Sequence, residues 1–90
     1  MLHATENTLA KYSALFDSLR ALNGLTEKRP GVFYRKSKAF LHFHEDPTGL
    51  YADLRVDADE GFVRMRVESR VEQSTLIETI TAALIGPERK

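Results

Sequence analysis

The run His42-Phe43-His44 concentrates more chemistry than any other part of this 90-residue sequence. In a β-strand, side chains alternate, so both imidazoles share one face about 7 Å apart at the backbone. The register derived below sets Asp53, on the next strand, opposite His42. Two imidazoles and a carboxylate are ligand types of zinc sites and of non-haem iron centres. The same groups also make an ordinary histidine–aspartate hydrogen bond on a polar sheet face, with Arg66 as the ion-pair partner of Asp53. Two histidines fix no third ligand. The expectation is therefore no cofactor and no bound metal, with His42, His44 and Asp53 the candidates should an ion bind.

Other chemistry is sparser. His42 and Asp53 can be arranged as base and orienter for Ser37, Thr48 or Ser69, but none of these stands in a nucleophile-elbow sequence. There is no phosphate-cradling glycine loop and no dinucleotide fingerprint. Zero Cys removes thiolate metal sites, disulfides and a Cys nucleophile. No catalytic residue is assigned, and a non-enzymatic role is expected.

Thirteen basic and thirteen acidic residues cancel, and 42% of the chain is hydrophobic, which describes one soluble globular domain over residues 1–90. No apolar run approaches the roughly 20 residues that span a bilayer. Met1–Leu22 is interrupted by Glu6, Lys11, Asp17 and Arg20, so it lacks the apolar core of a signal peptide. A cytoplasmic setting without membrane contact is the expectation.

The elements that must position these groups follow from hydrophobic spacing. Leu9, Tyr12, Leu15, Phe16, Leu19 and Leu22 recur at three and four residues, predicting a helix over about 5–23, capped by Thr5 and stopped at Asn23-Gly24. Ser69-Arg70-Val71-Glu72 has the capping-box form, and a second helix follows over about 70–85. Four runs of period two lie between them, at about 32–36, 39–45, 50–57 and 62–68, with residues 25–31 as a loop. Short connectors make the strands an antiparallel meander. Four-residue loops at Asp46–Gly49 and Ala58–Gly61 pair Leu41 with Leu54 and Val56 with Val63. The first strand is set with Tyr34 facing Leu41 and Val32 facing Phe43. The predicted fold is α+β: a two-layer sandwich of order α-β-β-β-β-α with both helices on one face.

That register fills the outer sheet face with Phe33, Arg35, Phe40, His42, His44, Tyr51, Asp53, Arg55, Arg64 and Arg66. Arginines and aromatics are enriched at binding surfaces. The leading expectation is an interaction module that self-associates as a homodimer, or binds another protein, through this face.

Residues 22–45 also carry a resemblance. Leu22-Asn23-Gly24-Leu25-Thr26-Glu27, Gly31-Val32-Phe33-Tyr34 and Lys38-Ala39-Phe40-Leu41 resemble the MmcQ/YjbR-like family of small bacterial α+β proteins. The Phe62–Glu68 strand and the Ser69-capped helix stand where that family has a longer C-terminal half. The resemblance implies a nucleic-acid-binding role. In this chain it would use the hairpin of the first two predicted strands, with Lys28, Arg29, Arg35, Lys36 and Lys38. Those five cations oppose one acid, Glu27, within residues 25–44, whereas residues 45–61 carry six acids against Arg55. The acidic segment disfavours a phosphate backbone lying across the whole sheet.

Overall fold

A computed structural model describes residues 2–3, 6–56 and 61–85. Its centre is strand β4, Lys38–Asp46, the longest of the sheet. Strand β5, Gly49–Leu54, pairs along one edge of β4. The other edge is shared by β3, Val32–Arg35, opposite Lys38–His42, and by the two-residue β1, Leu2–His3, opposite His44–Glu45. Strands β2, Thr26–Arg29, and β6, Val63–Arg66, form the outer edges, giving the order β2-β3-β4-β5-β6, all antiparallel. Helices α1, Glu6–Lys11, α2, Ser13–Arg20, and α3, Arg70–Ile85, complete the chain.

The α+β two-layer architecture agrees with the sequence, with one strand more in the meander. Thr26–Arg29 is a strand rather than part of a loop. Its sequence, Thr-Glu-Lys-Arg, has no apolar alternation because it is an edge strand, where charge discourages pairing with another chain. The two-residue turn at Pro30-Gly31 returns it to β3, with Gly31 at φ 75°.

The β4–β5 pairing agrees with the predicted register residue for residue, including His42 opposite Asp53 and Phe43 opposite Ala52. The turn is tighter than expected, since Asp46 and Gly49 already pair. Asp46 Oδ1 accepts from the Thr48 amide at 2.8 Å and the Thr48 hydroxyl at 2.6 Å, which fixes that turn.

The other two pairings correct the sequence reading. In β3–β4 a two-residue turn, Lys36-Ser37, has both residues at positive φ (52° and 70°), matching the twist of a tight hairpin. It pairs Tyr34 with Ala39, and a bulge then pairs Phe33 with Leu41 and Val32 with His42. Phe33 is thereby moved from the outer face into the core, at 1% exposure, while Val32 joins the His42 side. Burying a phenyl ring is worth about 2–3 kcal/mol, enough to favour the irregular ladder. Phe40, the residue left over in the bulge, is also buried at 3%.

In β5–β6 the register is shifted by two residues: Leu54 faces Val63, Asp53 faces Arg64 and Tyr51 faces Arg66. An even shift preserves the faces but changes every partner. Val56 and Val63, expected to pair inward, are instead 48% and 64% exposed. The expected turn at Ala58–Gly61 falls largely outside the described residues.

The core joins Leu15, Phe16 and Leu19 of α2 and Leu76 and Ile80 of α3 to Leu41, Phe43, Leu50, Ala52 and Leu54 of the sheet. Phe43 meets Phe16 edge-on at 4.8 Å and Phe33 at 6.4 Å. The single N-terminal helix expected over 5–23 is broken at Tyr12, whose φ of −116° and ψ of 39° are not helical. The Tyr12 hydroxyl donates to Glu68 Oε1 at 2.6 Å, and the same oxygen accepts from the Leu50 amide at 2.9 Å. The break therefore anchors the helix to the edge of the sheet. Thr5, the expected cap, lies outside the described residues. The second helix begins as predicted: Ser69 Oγ accepts from the Glu72 amide at 3.1 Å, and Glu72 Oε1 accepts from the Ser69 amide at 2.9 Å.

Candidate metal centre

The β4–β5 register brings His42, His44 and Asp53 to the sheet face opposite the helices, and β6 adds Arg64. His44 and Asp53 are buried, at 8% and 6% exposure, and His42 is half-buried. Three donor atoms converge. His42 Nδ1 lies 3.1 Å from His44 Nε2, His44 Nε2 lies 2.9 Å from Asp53 Oδ2, and His42 Nδ1 lies 3.7 Å from that same oxygen.

These separations match the ligand shell of a small divalent ion. Bonds of 2.0–2.2 Å place ligand atoms about 3.3–3.6 Å apart in a tetrahedron and about 2.8–3.1 Å apart at adjacent octahedral positions. The circle through the three atoms has a radius of about 1.9 Å, so an ion just off their plane reaches all three at zinc bond lengths. Three protein ligands leave a coordination position for an exchangeable group.

Protons obey the same geometry. Arg64 grips Asp53 in a fork, Nε to Oδ1 at 2.7 Å and Nη2 to Oδ2 at 2.9 Å. This holds the Asp53 carboxyl below the usual carboxylate range against the opposing effect of burial, with further help from the Arg64 charge and the two histidines. Asp53 is then an acceptor only, so the short contact at Oδ2 requires a proton on His44 Nε2. His42 Nδ1 faces that N–H at 3.1 Å. The His44 Nε2 proton occupies the triangle that a metal ion would fill, so coordination through Nε2 requires His44 to carry its proton on Nδ1 instead.

Arg64 has a second consequence. By bonding both oxygens it fixes the carboxylate in place, with Oδ2 turned toward the two imidazoles. The face is covered by Phe62, whose ring lies 4.8 Å from that of His42, and the Arg55 guanidinium stands 4.8 Å from the Phe62 ring.

The sequence predicted His42 as the hydrogen-bond partner of Asp53 and Arg66 as its ion-pair partner. The structure puts His44 closer and replaces Arg66 with Arg64. Arg66 lies further along, bonding the Thr48 carbonyl and Glu72 at 3.0 Å each. Tyr51 is beside it, its hydroxyl 2.7 Å from that of Thr48. Arg55 borders a separate cavity with Arg35, Lys36 and Lys38, and Arg35, expected on the outer face, has turned with Phe33 toward the helix side, where it also lines a hollow with Leu84 and Ile85 of α3. Lys28 lies over the Tyr34 ring at 5.7 Å, and Arg29 is exposed on the edge strand. The expected interaction surface therefore divides into three places, and Phe33 and Phe40 drop out of it into the buried interior. Phe62 was missed altogether; an aromatic beside a turn glycine is its only signal in the sequence.

No protein-family model, curated protein or solved structure matches the chain. No helix among the described residues is long and apolar enough to cross a membrane.

Proposed function

We propose that this protein binds a divalent transition-metal ion of the zinc class, with His42 Nδ1, His44 Nε2 and Asp53 Oδ2 as ligands. The observation that carries this is the convergence of three donor atoms of metal-binding type within 3.7 Å of one another on adjacent strands. A polar sheet face needs no such convergence, because imidazoles two residues apart on a strand can turn away from each other. Nitrogen and carboxylate donors suit Zn²⁺, and their open position lets the site hold a water or an anionic ligand. Arg64 serves as the outer partner that orients the carboxylate.

Self-association through the same face is the competing reading, and it has lost support. Of its three expected aromatic anchors, Phe33 and Phe40 are buried within the subunit, leaving Tyr51. Nucleic-acid binding likewise loses Phe33 and Phe40 as stacking platforms.

Calorimetric titration of chelator-stripped protein with Zn²⁺ tests the proposal, with Co²⁺ absorption reporting coordination geometry. The expected result is one equivalent bound. Asp53→Asn and His44→Ala should each weaken binding by about 100-fold or more, at least the loss seen when an outer partner is removed. Binding that survives both substitutions would overturn the assignment.

A further inference from the structure

Beside the Lys36-Ser37 turn lies a cavity of about 260 Å³ lined by four cations, Arg35, Lys36, Lys38 and Arg55. Its remaining walls are apolar: Ala39, Phe40 and Val56. Among the described residues no acidic side chain lines it, and none of the four cations forms an ion pair. This is unlike Arg20, Arg64 and Arg66, each of which rests on a carboxylate. Four like charges around one opening repel one another unless an anion joins them.

The cations are also held in position. The Arg55 guanidinium is fixed by Nη2 donating to the Ala39 carbonyl at 2.8 Å and by its place over the Phe62 ring. Lys36 sits at φ 52° in the turn between β3 and β4, a left-handed conformation costing an L-residue about 1–2 kcal/mol. An opening of this volume lies just below the usual range of ligand sites and suits only a compact molecule.

We infer that this cavity binds a small organic phosphate, its dianionic group held by Arg35, Lys36, Lys38 and Arg55 and its apolar body against Ala39, Phe40 and Val56. The dianion matches the charge of the rim better than a single carboxylate, and the guanidinium forks suit phosphate oxygens. The inference is independent of the metal reading, since it shares no ligand with His42, His44 or Asp53.

Phenyl phosphate is the probe, titrated into the full ¹⁵N-labelled chain with amide shifts as the readout. The expected result is saturable 1:1 binding, with the largest shifts at residues 35–39 and 55–56. Benzoate should bind more weakly, and neutral benzyl alcohol should leave the spectrum unchanged. Arg55→Gln and Lys36→Gln should each lower affinity by about tenfold, the scale of a charged hydrogen bond. Lys28→Gln, an equal charge change away from the cavity, should lower it less than twofold. Equal losses in Lys28→Gln and Lys36→Gln would reduce the effect to general charge and overturn the site. Inorganic phosphate binding as tightly as phenyl phosphate would overturn the role of the apolar wall. An oligothymidylate binding more tightly than phenyl phosphate, with affinity rising with length, would replace the small ligand by nucleic acid.

Discussion

The two ends of the sheet treat charge in opposite ways. Around Asp53 every charge is answered: a buried carboxylate is gripped by Arg64 and approached by two imidazoles. Around the Lys36-Ser37 turn four cations face an opening with no carboxylate among the described residues. The first arrangement contributes to the stability of the fold as it stands. The second leaves its cations without a carboxylate partner among the described residues, and so open to an anion from outside. Proteins carry uncompensated charge at sites of recognition more readily than in their framework, and the contrast separates framework from candidate ligand site.

The largest expected effect is at the compensated end. Asp53→Ala removes the acceptor shared by Arg64 and His44 and leaves the buried imidazole without its carboxylate. Unfolding in urea should show a loss of about 2–4 kcal/mol, the range for breaking a buried charged hydrogen-bond cluster. A loss below about 1 kcal/mol, the scale of a surface pair, would mean that the cluster is not part of the framework.

A smaller effect follows from protonation of the same carboxylate. Arg64 holds the folded-state value of Asp53 below the ordinary one. The stabilisation is therefore complete above the unfolded value of about 3.9 and is lost as pH falls through the lower folded value. The acid limb of a stability–pH profile should flatten in Asp53→Asn relative to the native chain. Metal binding runs in the same direction, because a ligand must be unprotonated at the coordinating atom, so affinity for Zn²⁺ should fall on acidification.

Legibility in the sequence was as uneven as the charge. Between β4 and β5, one register alone put Leu41, Phe43, Leu54 and Ala52 on the same side, so apolar alternation specified His42 opposite Asp53. At the β5–β6 hairpin an even shift leaves the faces unchanged, so hydrophobic pattern could not choose between Arg64 and Arg66 as the partner of Asp53. The choice was made by a two-pronged ion pair and at the expense of exposing Val56 and Val63. At β3–β4 the bulge removed Phe33 and Phe40 from the surface, and bulges leave no period-two signature to read. Strand β2 escaped notice because an edge strand can be Thr-Glu-Lys-Arg. The ligand types of the candidate centre were legible; their convergence required side-chain geometry.

At the uncompensated end, substitutions should be nearly neutral or slightly favourable. Arg35→Gln relieves repulsion among four exposed or half-exposed cations and should change stability by no more than a few tenths of a kcal/mol. Added salt should narrow even that difference, because screening acts on the native chain more than on the variant. A clear loss of stability in Arg35→Gln would show an unrecognised structural role and bring the two ends of the sheet into line.

The smallest effect tests whether the turn beside the cavity is strained. Ser37 lies at φ 70°, where a side chain is disfavoured and glycine is not. Ser37→Gly removes that strain but adds conformational freedom to the unfolded chain, which costs roughly 0.5–1 kcal/mol. The net change should be a stabilisation of about 0.5 kcal/mol, measured as a shift of the urea midpoint without a change of slope. Binding of phenyl phosphate should be unaltered, because Ser37 does not line the cavity. Lys36→Gly relieves the same kind of backbone strain at φ 52° yet removes a cation from the rim. It should therefore gain similar stability and lose affinity. Two neighbouring glycine substitutions that agree in stability and part in binding would separate the demands of the turn from those of the ligand.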